Sequence, residues 1–295
     1  MRINLNAFKN FVRSSNFGGF LLFLCVILSL LLANSPVADS LHHFFAKEIG
    51  FENANIHLRY DISTWINDGL MTIFFLMVGL EIKREIVEGE LSSPRKALVP
   101  IICAVGGAII PALFYLGFNA GTETQHGWGI SMATDIAFAL AVISLLDKRV
   151  PSSLKIFLAA LAIVDDLIAI LVIALFYTDE IHAMNLLYAG IGMLILIAMN
   201  RSNVKNPWLY LISGVFIWYF IHHSGIHATI AGVLVAMTLP TNDTEIESPL
   251  EKLEHAIAKP VNFLIIPLFA FANTNITLEK EMLGGLVAPL GMGCL

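Results

Sequence analysis

Long apolar runs separated by short polar stretches recur along the whole chain, over residues 17–33, 65–80, 97–120, 128–146, 154–177, 185–199, 207–221, 226–239 and 260–272. A helix needs about 20 apolar residues to cross about 30 Å of hydrocarbon. The pattern therefore predicts nine transmembrane helices, and a tenth run begins near Leu283 and reaches Leu295. Residues 34–64 form the longest polar interval, and the loose alternation around Glu52 and Asn53 predicts a short hairpin within it. The fold class is all-α and polytopic, with residues 1–295 in a single membrane domain and no separate soluble domain.

Composition supports this picture. Hydrophobic residues make up 57% of the chain and charged residues 14%, with a mean hydropathy of +0.77. A soluble domain has about 25% charged residues. The net charge is −6 and no block of basic residues occurs, so the chain has no electrostatic footprint for nucleic acid. Cys25, Cys103 and Cys294 lie in apolar runs without metal-ligand or disulfide spacing, and read as packing residues.

The basic residues set the expected topology, because Lys and Arg accumulate in cytoplasmic loops. Arg2, Lys9, Arg13, Lys83, Arg84, Arg95, Lys96, Lys148, Arg149, Lys155, Arg201, Lys205, Lys252 and Lys259 fall on one side. Only Lys47, Arg59 and Lys280 fall on the other, which predicts a cytoplasmic amino terminus. The alternative, a cleaved signal peptide ending at Ala33-Asn34-Ser35, fits less well because the apolar core exceeds the usual length.

Two acidic residues stand in mid-membrane. Asp165 is the twelfth residue of the run 154–177, about 16 Å along a helix, with Asp166 beside it. A carboxylate at that depth costs at least about 3 kcal/mol, so it must face water, a cation or a proton. Two adjacent carboxylates cannot both ionise cheaply, because like charges raise one pKa. Such a pair suits the exchange of protons for cations; the alternative is two protonated acids hydrogen-bonded to neighbouring helices.

Thr134 and Asp135 follow the polar positions Gly127, Gly129 and Ser131, a pattern of either a helix interrupted in mid-membrane or an intact helix with a small-residue packing face. Asp68, near Trp65, suits either a helix start or an outer vestibule. Glu81, Arg84, Glu85 and Glu88 share helical spacing and read as a solvated, ion-paired face or a charged cytoplasmic funnel. His255 follows Glu254 at the cytoplasmic start of the last complete run.

The strings Trp65-Ile66-Asn67-Asp68-Gly69-Leu70, Gly79-Leu80-Glu81-Ile82-Lys83-Arg84-Glu85, Ala133-Thr134-Asp135-Ile136-Ala137-Phe138 and Ile163-Val164-Asp165-Asp166 resemble the NhaA-type sodium/proton antiporters. So do Gly225-Ile226-His227-Ala228-Thr229 and Pro267-Leu268-Phe269-Ala270-Phe271-Ala272-Asn273, in order along the chain. The resemblance implies a multi-pass antiporter of the bacterial inner membrane that exports Na+ or Li+ in exchange for protons and serves Na+ and pH homeostasis. No enzymatic activity and no resident cofactor are expected: Na+, Li+ and H+ are the cargo.

By the same resemblance, Asp165 and Asp166 carry the cation and the protons, with Asp166 the principal sodium ligand. Thr134 and Asp135 mark the break of a discontinuous helix, and Asp68 lies in the outer funnel. Glu81, Arg84, Glu85, Glu254 and His255 form the pH-responsive region, and the outer hairpin joins two protomers in the lipid bilayer as a homodimer. Family members carry three further spans, with a membrane lysine and a second broken helix that complete an inverted repeat. A shortened, non-transporting product is therefore an alternative reading. An aspartyl protease would need a Gly-x-Gly-Asp context, absent before Asp135 and Asp165. A cation channel would pass ions without proton coupling.

Overall fold

The computed structural model describes residues 16–53, 56–132, 150–177, 181–241 and 248–278. It is mostly helical. The described residues fall into two compact units, one comprising those up to Phe74 with Ala256–Leu278, the other those within Phe75–His255.

In the first unit, α1 (Asn16–Ala33) is followed by the short α2 (Ala38–Phe45), and the chain bends by 116° between them. The antiparallel strands β1 (Glu48–Asn53) and β2 (Ile56–Asp61) come next, with Gly50 opposite Arg59 and Phe51 opposite Leu58. Glu48 pairs with Arg59 at 2.9 Å, and Glu52 with His57, directly across the ladder, at 2.9 Å. Asp61 ends the hairpin and caps the next turn, its Oδ1 accepting the Thr64 N–H at 2.7 Å.

A π-helical turn, Trp65–Leu70, then opens α3 (Met71–Val87). Trp65 ties the turn to the hairpin by donating Nε1–H to the Ile49 carbonyl at 2.8 Å. A second π-turn, Val261–Ile265, joins α9 (Pro249–Pro260) to α10 (Ile266–Asn273). Pro260 has no N–H to continue an α-helical ladder, and the widened turn after it lets the helix run on. The apolar run 260–272 is thus the second half of a 25-residue helical stretch, Pro249–Asn273, that starts among charged residues.

Helix α10 packs on α1, where the fully buried Ser29 donates to the Phe271 carbonyl at 2.7 Å. Asn34 donates to the carbonyls of Leu30 and Ile276 and accepts the Leu278 N–H at 2.7 Å. Asn273 donates to Asn67 Oδ1 at 2.7 Å and so joins α10 to the first π-turn.

The second unit holds the rest of α3, then α4 (Pro94–Asn119), a 3-10 segment (Glu123–Met132), α5 (Ser152–Phe176), α6 (Ala183–Arg201), α7 (Pro207–His222), α8 (Ile230–Thr238) and the start of α9. Helix α4 buries Ala104, Ala108 and Ala112 and exposes Ile102, Leu113 and Phe114, the arrangement of a helix that packs through small residues and turns large apolar ones to lipid. Ala108, Ala112 and Met132 form a core with Trp128, Ile168 and Val172. Asn185 and Asn200 bond to the carbonyls of His223 and Thr238 at 2.6 and 2.7 Å, polar contacts between apolar helices. Gly225 takes a φ of +87°, open to glycine at little cost, and α8 starts only at Ile230 rather than at the head of the run 226–239.

Among the described residues, α4, α5 from Ile156, α6 and Pro249–Asn273 are each long and apolar enough to cross a membrane.

Candidate functional site

Asp165 and Asp166 lie in the middle of α5, about 20 Å from its start at Ser152. The helix contains no Pro and no Gly through this stretch, so the acids sit on an unbroken frame. Asp165 is 6% exposed, and Ala162, three residues before it on the same side of the helix, is buried too, whereas Asp166 is partly exposed. Successive helical residues point about 100° apart, and the pair accordingly presents one sheltered and one more open carboxylate. Among the described residues no group of three or more His, Cys, Asp or Glu side chains could form a metal centre. Thr134 and Asp135 lie outside the described residues.

A groove of about 540 Å³ runs beside α4, α5 and the 3-10 segment, lined by Val105, Ala108, Trp128, Met132, Ile168 and Phe176. Its lining is apolar throughout and offers a bare cation no ligand.

A second set of charges gathers beyond the apolar run 65–80. Arg84 donates Nε–H to Glu254 Oε2 at 3.1 Å and lies 3.8 Å from Glu85 Oε1. The Glu254 side chain is only 11% exposed. Burial works against the Arg84 guanidinium but is outweighed by Glu254, Glu85 and Glu81, which hold it above its ordinary value. Burial, with repulsion from Glu254 and Glu85 and against the pull of Arg84, raises the Glu81 carboxyl from 4.5 to about 7. Four of the five residues expected to act together, Glu81, Arg84, Glu85 and Glu254, are thus brought into one electrostatic cluster. His255 is exposed on α9. Asp68 stands within the first π-turn, where its carbonyl accepts the Thr72 hydroxyl at 2.5 Å.

Sequence reasoning did not single out Lys83. Its ammonium donates to the carbonyls of Met237, at 2.8 Å, and Leu239, the open C-terminal end of α8. Burial holds its pKa below the ordinary lysine value. Nor did it find Gly79, where a Cβ would come within 2.7 Å of Ala236 Cβ and 3.0 Å of Val233 Cα. The string Gly79-Leu80-Glu81-Ile82-Lys83 carried the signal in its lone glycine and its lysine four residues on, which face the same way on a helix.

α5 carries its two acids at the centre of a helix long and apolar enough to cross a membrane, and the chain is a multi-pass membrane protein. The profile of the family described as Na+/H+ antiporter 1 matches residues 9–295, and the chain belongs to that family. It is 61% identical over 294 residues to the Na(+)/H(+) antiporter NhaA 2 of Flavobacterium johnsoniae, covering 99% of this chain and 72% of that protein. It is 44% identical to the NhaA antiporter of Shewanella frigidimarina, over 98% of this chain and 74% of that one. Identity to the NhaA antiporter of Caulobacter vibrioides is 46%, over 98% and 70%.

Proposed function

We propose that the protein exports Na+ or Li+ across the bacterial inner membrane in exchange for protons, with Asp165 and Asp166 as the carriers. The observation that carries this reading is the acid pair at the middle of α5, one member 6% exposed, in a chain of the Na+/H+ antiporter 1 family. A dehydrated cation supplies the counter-charge that lets both carboxylates ionise; protons supply it when the cation leaves. The two cargoes therefore compete for one site, and exchange follows from that competition. No resident cofactor is needed, since charge neutralisation is the whole of the chemistry.

Thr134 and Asp135 belong to the same site, at the break of a discontinuous helix whose freed backbone groups and partial charges need ions or counter-charges nearby. Asp68 lines the outer approach, and the nine apolar runs cross the membrane with the amino terminus in the cytoplasm. Glu81, Arg84, Glu85, Glu254 and His255 form a cytoplasmic region that responds to pH. The raised pKa of Glu81 supports this, because it puts a change of charge near neutrality inside an ion-paired cluster.

Two protomers pair through the hairpin. Ile49, Phe51 and Ile56 are 52%, 60% and 44% exposed on a sheet of only two strands, a surface that gains from being covered.

The deciding experiment measures proton movement driven by added NaCl in everted membrane vesicles. Na+ added at the exposed cytoplasmic face should enter the lumen as protons leave it, so alkalinisation of the lumen is the expected result; sodium flux without proton coupling would make the protein a channel instead.

A further inference from the structure

Helix α1 has 18 residues, about 27 Å of helix, close to the depth of the hydrocarbon core. Its end is level with the end of α10: Ser29 bonds to the Phe271 carbonyl, and Asn34 to Ile276 and Leu278 just beyond. Helix α10 closes the stretch Pro249–Asn273, which is long and apolar enough to cross a membrane and carries its charges only between Glu251 and Lys259. The two ends therefore stand together at one membrane face, and Asn34, Asn273, Thr274 and Asn275 mark it with polar side chains.

The chain turns by 116° directly after this level. Helix α2 thus runs across the α1 axis and, being past perpendicular, tips its Phe44–Phe45 end back toward the apolar layer. Its eight residues reach only about 12 Å, too short to cross. The side chains are sorted by direction. Phe45 faces inward, 5% exposed and 6.1 Å from the ring of Phe271, and Asn275 Nδ2 lies 3.4 Å from His42 Nδ1. Asp39 and His43, four residues apart, are exposed on the polar side. Val37 and Phe44 share a stripe with the half-buried Leu41 and are 49% and 56% exposed, an apolar surface that water disfavours in proportion to its area.

Exposed Leu24, Leu28 and Leu31, four and three residues apart on α1, form the kind of stripe that a membrane helix turns to lipid. The exposure of large apolar side chains resumes after the bend at Val37 and Phe44, continuous with that lipid-facing surface. We propose that α2 is an interfacial anchor whose partner is the phospholipid of the leaflet where α1 ends: Val37 and Phe44 insert at the boundary between headgroups and acyl chains, while Asp39 and His43 stay in water. Only Ala46 and Lys47 separate α2 from β1, and the Lys47 carbonyl accepts the Ile62 N–H at 3.2 Å where the hairpin returns. The depth of α2 accordingly sets the level of the hairpin at the membrane surface.

The test uses the full chain with Cys25, Cys103 and Cys294 replaced by Ser, carrying one of Val37→Cys, Phe44→Cys, Asp39→Cys, His43→Cys or Leu24→Cys, labelled with a nitroxide and reconstituted in phosphatidylcholine vesicles. Spin relaxation is measured with oxygen, which concentrates in lipid, and with a nickel chelate, which stays in water. Labels at 37 and 44 are expected to respond to oxygen and be shielded from nickel, at a depth of about 5–10 Å. Labels at 39 and 43 should show a several-fold higher nickel response, and the label at 24 should lie deeper than all four.

A nickel response at 37 and 44 equal to that at 39 and 43 would put the stripe in water and overturn the proposal. Shielding of 37 and 44 from both reagents would overturn it too, by showing that protein covers them, either a second copy or another part of the chain. A label at 44 as deep as the one at 24 would make α2 the returning half of a broken span and not an anchor.

Discussion

Lys83 and Met237, 154 residues apart in sequence, meet where the lysine ammonium donates to the methionine carbonyl at 2.8 Å. The last carbonyls of a helix lack intrahelical partners and carry partial negative charge, so a cation there satisfies both needs. Lys83→Met keeps most of the aliphatic stem and removes the donor. It is expected to lower stability by about 1–3 kcal/mol, read as an earlier midpoint in thermal unfolding in detergent. An unchanged midpoint would mean that water replaces the ammonium at no cost.

Gly79 lies four residues before Lys83 and faces the same helix. Its missing side chain lets α3 approach the backbone of Val233 to a distance that a methyl group would fill. Gly79→Ala should destabilise by about 1–3 kcal/mol through overpacking. Adding Ala236→Gly removes one of the two clashing groups and should recover part of that loss. No recovery would locate the strain at Val233 alone.

Asp166→Asn is expected to abolish exchange while membrane insertion stays normal. An amide can ligate a cation weakly but cannot take up and release a proton or supply charge to a dehydrated cation. Asp165→Asn should be damaging and less absolute. Equal residual rates in the two variants would abolish the proposed hierarchy of the two acids, and retained sodium-coupled proton movement in Asp166→Asn would remove it from the site.

Glu81 gives a pH dependence with a definite sign. Its carboxyl is raised from 4.5 to about 7, so between these values the folded protein holds a proton that the unfolded chain has lost. Stability attributable to this group is present at low pH and is lost as pH rises through that window. Glu81→Gln should therefore flatten the fall in melting temperature across the same window. Parallel melting curves for wild type and variant would show that Glu81 stays charged.

The hairpin offers a test of assembly. Replacing Phe51 and Ile49 by Lys puts like charges on the surface proposed to pair, and should convert a dimer to a monomer by size in detergent without loss of helical content. A dimer that survives both changes would place its interface elsewhere.

Much of the helical frame could be read in the sequence because charged residues bracket the apolar runs. The run 154–177 became α5 (Ser152–Phe176), and 207–221 became α7 (Pro207–His222). The acids at 165 and 166 stood out for the same reason, as charges where the pattern forbids them. Other features depend on partners far along the chain and leave no periodic trace. The amphipathic α2 lies hidden in a polar interval, and Lys83 reads as one more interfacial base. The second π-turn was foreshadowed by Pro260, but a proline alone does not tell a kink, a stop and a widened turn apart.

The π-turn at Trp65–Leu70 fixes a phase as well as a bend. A π-turn is an α-helix that has taken in one extra residue, and each α-helical residue turns the chain by about 100°. Deleting a single residue from this stretch would leave a smoother helix. It would also swing the hairpin, which Trp65 pins through Ile49, about a third of the way around the axis of α3. Asn67 would rotate with it, away from the amide of Asn273. The length of this stretch is therefore constrained along with its composition: an exchange at Trp65 or Asn67 removes one hydrogen bond, whereas a one-residue gap re-aims the hairpin as a whole.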